Sequence, residues 1–169
     1  MRKKQIGDEK LMRYANDILN SEGMQYGKTN KHHGEVSVYS HSVDVALISI
    51  KIAEKLHIKV DEKSLVRGAL LHDYYLYDWH EPSDDHKLHG FSHARTALIN
   101  ASNDFILNDI EKDIIEKHMF PLNLPLPRYR ESILVCVADK ISATKDYSRQ
   151  MGWFREHAKL LRAYVQNYK

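Results

Sequence analysis

The sequence has few of the residues that mark disulfide-rich, repetitive or membrane-embedded proteins. Its one cysteine, Cys136, cannot form an internal disulfide, and its four prolines and seven glycines exclude a low-complexity or collagen-like chain. No apolar run approaches the roughly 20 residues that a membrane-spanning helix needs, and the N-terminus lacks the apolar core of a signal peptide. We therefore expect a cytoplasmic protein that does not contact a membrane.

An excess of charge of either sign is also lacking. The 25 basic and 23 acidic side chains leave a formal net charge of +2, and they form no basic stripe of the kind that binds nucleic acid. A chain of 169 residues has the length of about one domain and can bury a full core. Histidine is abundant by contrast, because there are 11 and six of them fall in the stretch from His72 to His118.

Apolar residues recur at helical spacing along most of the chain, which predicts an all-α fold of six or seven helices with essentially no strand. An N-cap at Asp61 and a capping-box start at Asn108 and Glu111 support two of these helices. Residues 26–40 and 76–91 lack a sustained period, and we expect loops there. The predicted helices are, in chain order, residues 8–22, 41–56, 62–75, 92–105, 109–120, 129–147 and 153–168.

Ionisable side chains lie on or next to the apolar stripes of several predicted helices. They are His41, His72, Asp73, His118 and Asp139. Burying an imidazole or a carboxylate is costly unless another group pairs with it. Imidazole and carboxylate together are typical ligands of iron, manganese, zinc, nickel or cobalt. The pattern favours a metal cluster over the alternative of a buried polar network.

The order of four of these residues resembles a known family. His41 within "HSVDVA", His72 and Asp73 within "LLHD", and Asp139 within "VADK" resemble the HD superfamily of metal-dependent phosphohydrolases. The resemblance covers residues 38–146. It implies an all-helical fold in which these four side chains hold a divalent metal.

The same resemblance implies how the domain is organised. We expect residues 1–169 to form a single HD-type domain, in which the N-terminal helix 8–22 and the C-terminal helix 153–168 pack on the core of resemblance. The sequence does not decide the oligomeric state, and we also consider a homodimer.

Two further histidines match the longer pattern of family members that bind two metals. His93 in "FSHARTAL" and His118 in "IIEKHMF" make the chain similar to HD-GYP phosphodiesterases and to hydrolases of symmetrical dinucleoside tetraphosphates. His86 and His89 are rivals for the role of His93. The resemblance implies two divalent transition-metal ions, with iron favoured over manganese, nickel, cobalt or zinc, and it allows an Mg²⁺ ion that arrives with the substrate.

The segment after the His-Asp pair departs from one branch of the family. "HDYYLYDWH" stands where cyclic dinucleotide hydrolases have "HDIGK", which argues against that substrate. The resemblance implies a nucleotide or small phosphoester as substrate, hydrolysed by a hydroxide held by the metals with Asp73 between them. Arg128, Arg130 and Lys140 are candidate phosphate contacts, the last two of them in catalysis, and Trp79 is a candidate for stacking on a base.

Two functions of other classes use the same residues. The pattern also resembles that of mixed-valent di-iron oxygenases within this superfamily, which use oxygen to cleave a carbon bond. A non-catalytic sensor would bind a nucleotide through the same pocket, although it has little need for six metal ligands. Anaerobic turnover of a phosphoester would favour hydrolysis.

Overall fold

The computed structural model describes residues 2–29, 31–33, 36–76 and 89–145, and within these ranges it confirms the all-α fold. Seven helices lie in this part of the chain, and none of them is both long and apolar enough to cross a membrane. The helices are α1 (Arg2–Leu19), α2 (Glu22–Tyr26), α3 (Val38–Lys55), α4 (Glu62–Leu71), α5 (His89–Asp104), α6 (Asp109–Lys117) and α7 (130–145). The predicted helix 153–168 lies outside the described residues.

The first two helices are separate, where the sequence predicts one helix over residues 8–22. The first begins at Arg2 and departs from helical geometry at Ala15, which has φ −144° and ψ 26°. Ser21 then caps the second helix, because its side chain accepts a hydrogen bond from the backbone N–H of Met24. A residue in the extended N-cap conformation cannot continue the preceding helix, so the serine divides the predicted segment in two.

A short hairpin lies within the segment that the sequence predicts as a loop. Strand β1 (Lys31–His33) pairs antiparallel with strand β2 (Val36–Ser37). Strands of two or three residues are too short to show the alternation of apolar and polar residues that identifies a strand in a sequence. The hydroxyl of Ser37 accepts a backbone N–H from the first turn of α3 and starts that helix three residues earlier than predicted.

Two predicted helix starts are confirmed in detail. The Asp61 side chain accepts a hydrogen bond from a backbone N–H in the first turn of α4 at 2.7 Å. Asn108 and Glu111 form a complete capping box at the start of α6. The helix between them, α5, begins at His89, slightly earlier than predicted, and residues 77–88 before it are outside the described part of the chain.

The close approach of α4 and α6 in the core determines where the histidines lie. A Cβ atom on Gly68 of α4 would stand 2.5 Å from Cδ1 of Ile114 on α6, so a larger residue would push the two helices apart. Gly68 is buried in α4, and Ile114 belongs to the hydrophobic core. His72 and His118 follow Gly68 and Ile114 by four residues and lie on the same faces, so this contact brings the two rings together.

An ion network around the buried Arg67 fixes three helices relative to one another. The Arg67 guanidinium on α4 lies 2.8 Å from Asp17 on α1 and 3.0 Å from Glu111 on α6. Arg67 and Glu111 are both buried, and a buried charge is tolerated only with a partner of this kind. The network holds α1, α4 and α6 around the core.

Candidate metal centre

The six side chains that the sequence predicts as metal ligands lie together in the structure. They are His41, His72, Asp73, His93, His118 and Asp139. Most of them stand near helix ends: the first lies in the first turn of α3, and His72 and His118 are the C-caps of α4 and α6. All but Asp139 are buried. Five helices, or the residues directly after them, therefore deliver ligands to one place.

The first ligand group surrounds one carboxylate oxygen of Asp73. The Oδ2 atom of Asp73 lies 3.4 Å from His72 Nε2 and 4.0 Å from His41 Nε2. The Oδ1 atom of Asp139 lies 3.0 Å from His41 Nε2 and 3.9 Å from His72 Nε2. Two imidazole nitrogens and two carboxylates therefore face a common point.

The second ligand group surrounds the other carboxylate oxygen of Asp73. The Oδ1 atom lies 3.4 Å from both His93 Nε2 and His118 Nε2, and these two ring nitrogens are 2.9 Å apart. Asp73 thus presents one oxygen to each group. A carboxylate that bridges two cations is arranged in this way.

Carbonyl groups in the last helical turns orient two of the rings. His72 Nδ1 lies 2.7 Å from the carbonyl oxygen of Ala69, and His118 Nδ1 lies 2.9 Å from that of Ile115. Because a carbonyl oxygen only accepts, Nδ1 of each ring donates, and in the neutral ring Nε2 keeps its lone pair. These carbonyls are free to accept because they lack an intrahelical donor at the helix end. The helix ends thereby select the tautomer that a metal ligand needs.

Burial and neighbouring charges act differently on the groups of the centre. Burial lowers the pKa of His72 to about 4, against the opposing charge of Asp73, so this ring is neutral at pH 7. Burial also acts to lower the pKa of His118, but its hydrogen bond with Asp73 and the charge of that carboxylate raise the pKa above its ordinary value. Burial would raise the pKa of Asp139, yet its hydrogen bond with His41 and the nearby His72 hold that pKa well below its ordinary value. The first group therefore offers a neutral imidazole and an ionised carboxylate, which are the forms that bind a cation.

The donor set fits two divalent cations. His72 Nε2 is fully buried and receives no hydrogen bond from any part of the chain that the structure describes. An unsatisfied buried polar atom costs about 1–3 kcal/mol, and a cation at this point would remove that cost. The cations would be held by His41, His72, Asp73 and Asp139 in the first group and by Asp73, His93 and His118 in the second. Mixed imidazole and carboxylate ligands suit transition metals better than calcium, which prefers oxygen alone.

Of the two arginines predicted as phosphate contacts, Arg130 has a side-chain partner elsewhere and Arg128 has an exposed side chain. The Arg130 guanidinium donates to the carbonyl of Lys59 at 2.9 Å. Arg130 stands at the start of α7, and its position on the helix is roughly 13 Å along the axis from that of Asp139. The side chain of Arg128 is exposed, and its backbone N–H donates to Asp113. The guanidinium of Arg130 is thus held away from the ligand atoms, and the contact of either arginine with a phosphate stays a prediction.

The third predicted phosphate contact lies beside the second ligand group. The Lys140 ammonium donates to the carbonyl oxygens of His118 and Cys136, both at 3.3 Å. Its contact with a phosphate also stays a prediction. Trp79, His86 and the side chain of His89 are outside the described residues.

Sequence reasoning missed two residues that shape the centre without binding a metal. Gly68 permits the close helix contact described above, and Asn100 on α5 donates hydrogen bonds to the backbone just after the His-Asp pair. One signal for the asparagine was available, because it follows His93 by seven residues and therefore lies on the same helix face.

The fold and these ligands define an all-helical metal-binding domain. A family model described as HD domain matches residues 38–144, more than half of the chain, and the chain therefore belongs to the HD domain family. This family consists in general of metal-dependent hydrolases, and the buried histidine and aspartate clusters indicate that this member binds divalent metal. The comparisons with curated proteins and with solved structures gave no match.

Proposed function

We propose that this protein is a metal-dependent phosphohydrolase that uses two divalent transition-metal ions to hydrolyse a nucleotide or another small phosphoester. The observation that carries this proposal is the position of Asp73, whose two oxygens face two separate ligand groups. A buried polar network would pair each buried atom with another, whereas His72 Nε2 receives no hydrogen bond in the described part of the chain.

The chain's own residues would set the geometry of the reaction. Two cations, one held in each group, would lower the pKa of a coordinated water from about 15.7 towards about 7 and offset the charge that develops on the phosphoryl oxygens. Asp73 fixes the separation of the two groups. His72 and His118, held by carbonyls of their own helices, keep their Nε2 atoms directed at the centre.

A small phosphoester is the substrate class that such a centre suits best. Its anionic oxygens bind to paired cations, and its hydrolysis requires only an activated water and charge stabilisation. The formal net charge of +2 gives no support for a nucleic-acid substrate. Iron is the metal we favour, followed by manganese, nickel, cobalt and zinc, since all of these accept histidine and carboxylate ligands.

The test begins with metal analysis of the full-length protein purified without chelator. We expect about two metal equivalents per chain, as in two-metal hydrolytic sites. The same protein is then assayed without oxygen against nucleotides, dinucleoside tetraphosphates and simple phosphate monoesters. Phosphate or nucleotide release should stop when a chelator removes the metal and resume when the metal is added back.

The control conditions separate the alternative functions. Product formation that needs oxygen would favour the di-iron oxygenase, and nucleotide binding without turnover would favour the sensor. Loss of the metal should also lower the melting temperature, because an ion that binds only the folded state stabilises it. A protein that melts at the same temperature with and without chelator would contradict the proposal and favour a buried polar network.

A further inference from the structure

The helix α4 ends at Leu71, directly before the metal-binding pair, and the backbone that follows the pair needs hydrogen-bond partners. The N–H of Tyr74 still donates to the carbonyl of Leu71, the last residue of α4, at 3.1 Å. Two residues later, the backbone of Leu76 has φ 55°, a left-handed conformation that residues other than glycine rarely adopt. The carbonyls of Tyr74 and Tyr75 lie between these points, where the helix no longer supplies donors, so they must find donors elsewhere.

The side chain of Asn100 on α5 supplies these donors. Its Nδ2 atom donates to the carbonyl of Tyr74 at 3.2 Å and to that of Tyr75 at 2.9 Å. A side-chain amide carries two N–H groups on this nitrogen, one for each carbonyl. The Tyr74 hydroxyl also donates to Asp104 at 2.8 Å, so α5 holds this segment at two points.

The same face of α5 carries a predicted metal ligand. Asn100 follows His93 by two helical turns, and Ala97 between them is fully buried. The small alanine lets this face of the helix lie close to its neighbours. His93 Nε2 stands 3.4 Å from Asp73 Oδ1. The helix that supplies His93 is therefore fastened to the backbone one residue beyond Asp73.

We propose that Asn100 is a positioning residue of the metal centre, which sets the distance between Asp73 and His93 and thereby holds the second ligand group together. This inference rests on the proposed function, because it assumes that the second group binds a cation. The first group takes its other ligands from α3, α4 and α7 and depends on Asn100 only through Asp73. Loss of the amide donors therefore weakens cation binding in the second group more than in the first.

The experiment adds Co²⁺ to metal-free, full-length protein and measures affinity by equilibrium dialysis and coordination by visible absorption. Asn100→Asp is the matched variant, because it keeps the shape of the side chain and replaces the N–H donors with an oxygen that repels the carbonyls. Asn103→Asp makes the same chemical change at an exposed position of the same helix and serves as the control. Asn100→Ala removes the donors without adding charge, and it provides the second variant if Asn100→Asp does not fold.

We expect both Asn100 variants to lower the affinity of the second ligand group for Co²⁺ about 10-fold to 100-fold, the range seen when groups that orient metal ligands are changed. The absorption of that ion should shift, while Asn103→Asp leaves both quantities unchanged. A lower melting temperature of the metal-free variants with unchanged Co²⁺ affinities and spectrum would overturn the proposal, since that is the result of a merely structural role. Wild-type protein that binds two Co²⁺ ions but hydrolyses nothing would refute only the proposed function, whereas wild-type protein that binds fewer than two would refute both.

Discussion

The first ligand group takes its side chains from α3, α7 and the end of α4, whereas the second combines the shared Asp73 with histidines from α5 and α6. The first offers four protein ligands and the second offers three. A site with more protein ligands leaves fewer positions for solvent, whereas catalytic sites keep positions open. We therefore expect the first group to hold its ion more firmly and the second to leave more room for water and substrate.

The histidines of the two groups also differ in their protonation. Burial lowers the pKa of His72 to about 4, whereas the carboxylate of Asp73 raises the pKa of His118 although burial opposes it. A cation in the first group would therefore meet a neutral ring, and one in the second group would compete more with a proton. We therefore expect the shared carboxylate of Asp73 to serve two metal sites of unequal affinity.

The largest effect is expected from Asp73→Ala, because this change removes the ligand that both groups share. We expect the metal content to fall close to zero and hydrolysis to be lost with it, as measured by elemental analysis and a phosphate-release assay. Asp44 is an exposed aspartate on α3, and Asp44→Ala is the control, which should retain metal content and hydrolysis. Full metal content with normal turnover in the Asp73 variant would refute the metal centre.

His118→Ala and His41→Ala should separate the two groups. His118 belongs only to the second group and His41 only to the first, so we expect each variant to lose one metal equivalent and keep the other. Both rings are fully buried, and each substitution also costs stability, so the metal content is compared well below the melting temperature. His57→Ala, at an exposed position, is the control. Identical metal loss in both variants would show that the groups do not bind separate ions.

Features of the fold that depend on neighbours in sequence were predictable. The N-cap at Asp61 and the capping box at Asn108 and Glu111 are confirmed because each rests on residues within one helical turn. The position of His118 followed from its place on an apolar stripe. The hairpin of β1 and β2 was not predictable, since its strands are shorter than the pattern that would identify them.

The parts of the site that depend on distant partners were harder to predict. His93 follows an irregular segment without a stripe before it, and only the family resemblance identified it. The partners of Asn100 are backbone carbonyls, which every residue carries, so no residue type in the sequence marks the contact. The need for a glycine at position 68 likewise depends on the position of Ile114 on another helix, which the sequence does not show.

A buried ion pair next to His118 bears on the comparison of the two ligand groups. It holds α6, the helix that supplies His118 to the second group. Asp113 pairs with Lys117 on α6 and also accepts hydrogen bonds from the Ser132 hydroxyl at 2.7 Å and the Arg128 backbone N–H at 2.9 Å. Burial would raise the pKa of Asp113, but Lys117 and Ser132 hold it below its ordinary value of 3.8. The carboxylate thus fastens α6 to the start of α7.

Asp113→Asn should lower the free energy of unfolding at pH 7 by about 3 kcal/mol, since it leaves Lys117 buried without its charged partner. A carboxylate with a depressed folded pKa contributes its full stability above its unfolded pKa and loses it as the pH falls through the folded value. The difference in the free energy of unfolding between wild type and variant should therefore shrink below about pH 4. Urea unfolding at a series of pH values measures it, with the exposed Asp109→Asn as control. A difference that stays constant down to pH 3 would contradict this account.

The smallest effect is expected from Gly68→Ala, which tests how closely α4 and α6 must approach. The new Cβ would lie 2.5 Å from Ile114 Cδ1 and 2.9 Å from Ile114 Cβ, and the rings of His72 and His118 one turn further on have centroids 4.8 Å apart. Overpacking costs about 1–3 kcal/mol, and alanine is favoured over glycine in a helix by up to about 1 kcal/mol. We therefore expect a net loss of about 1 kcal/mol in thermal or urea unfolding.

The effect of Gly68→Ala on metal binding should fall mainly on the second group. A methyl group between the helices moves His118 away from Asp73, whereas the first group keeps ligands from α3 and α7 that this contact does not carry. Adding Ile114→Val removes the atom nearest to the new methyl group but keeps Ile114 Cβ, which is 2.9 Å from it, so the double variant should recover part of the lost affinity in equilibrium dialysis with Co²⁺. If Gly68→Ala lowered the affinity for both ions equally, or if Ile114→Val gave no recovery, the contact between α4 and α6 would not determine the geometry of the second ligand group.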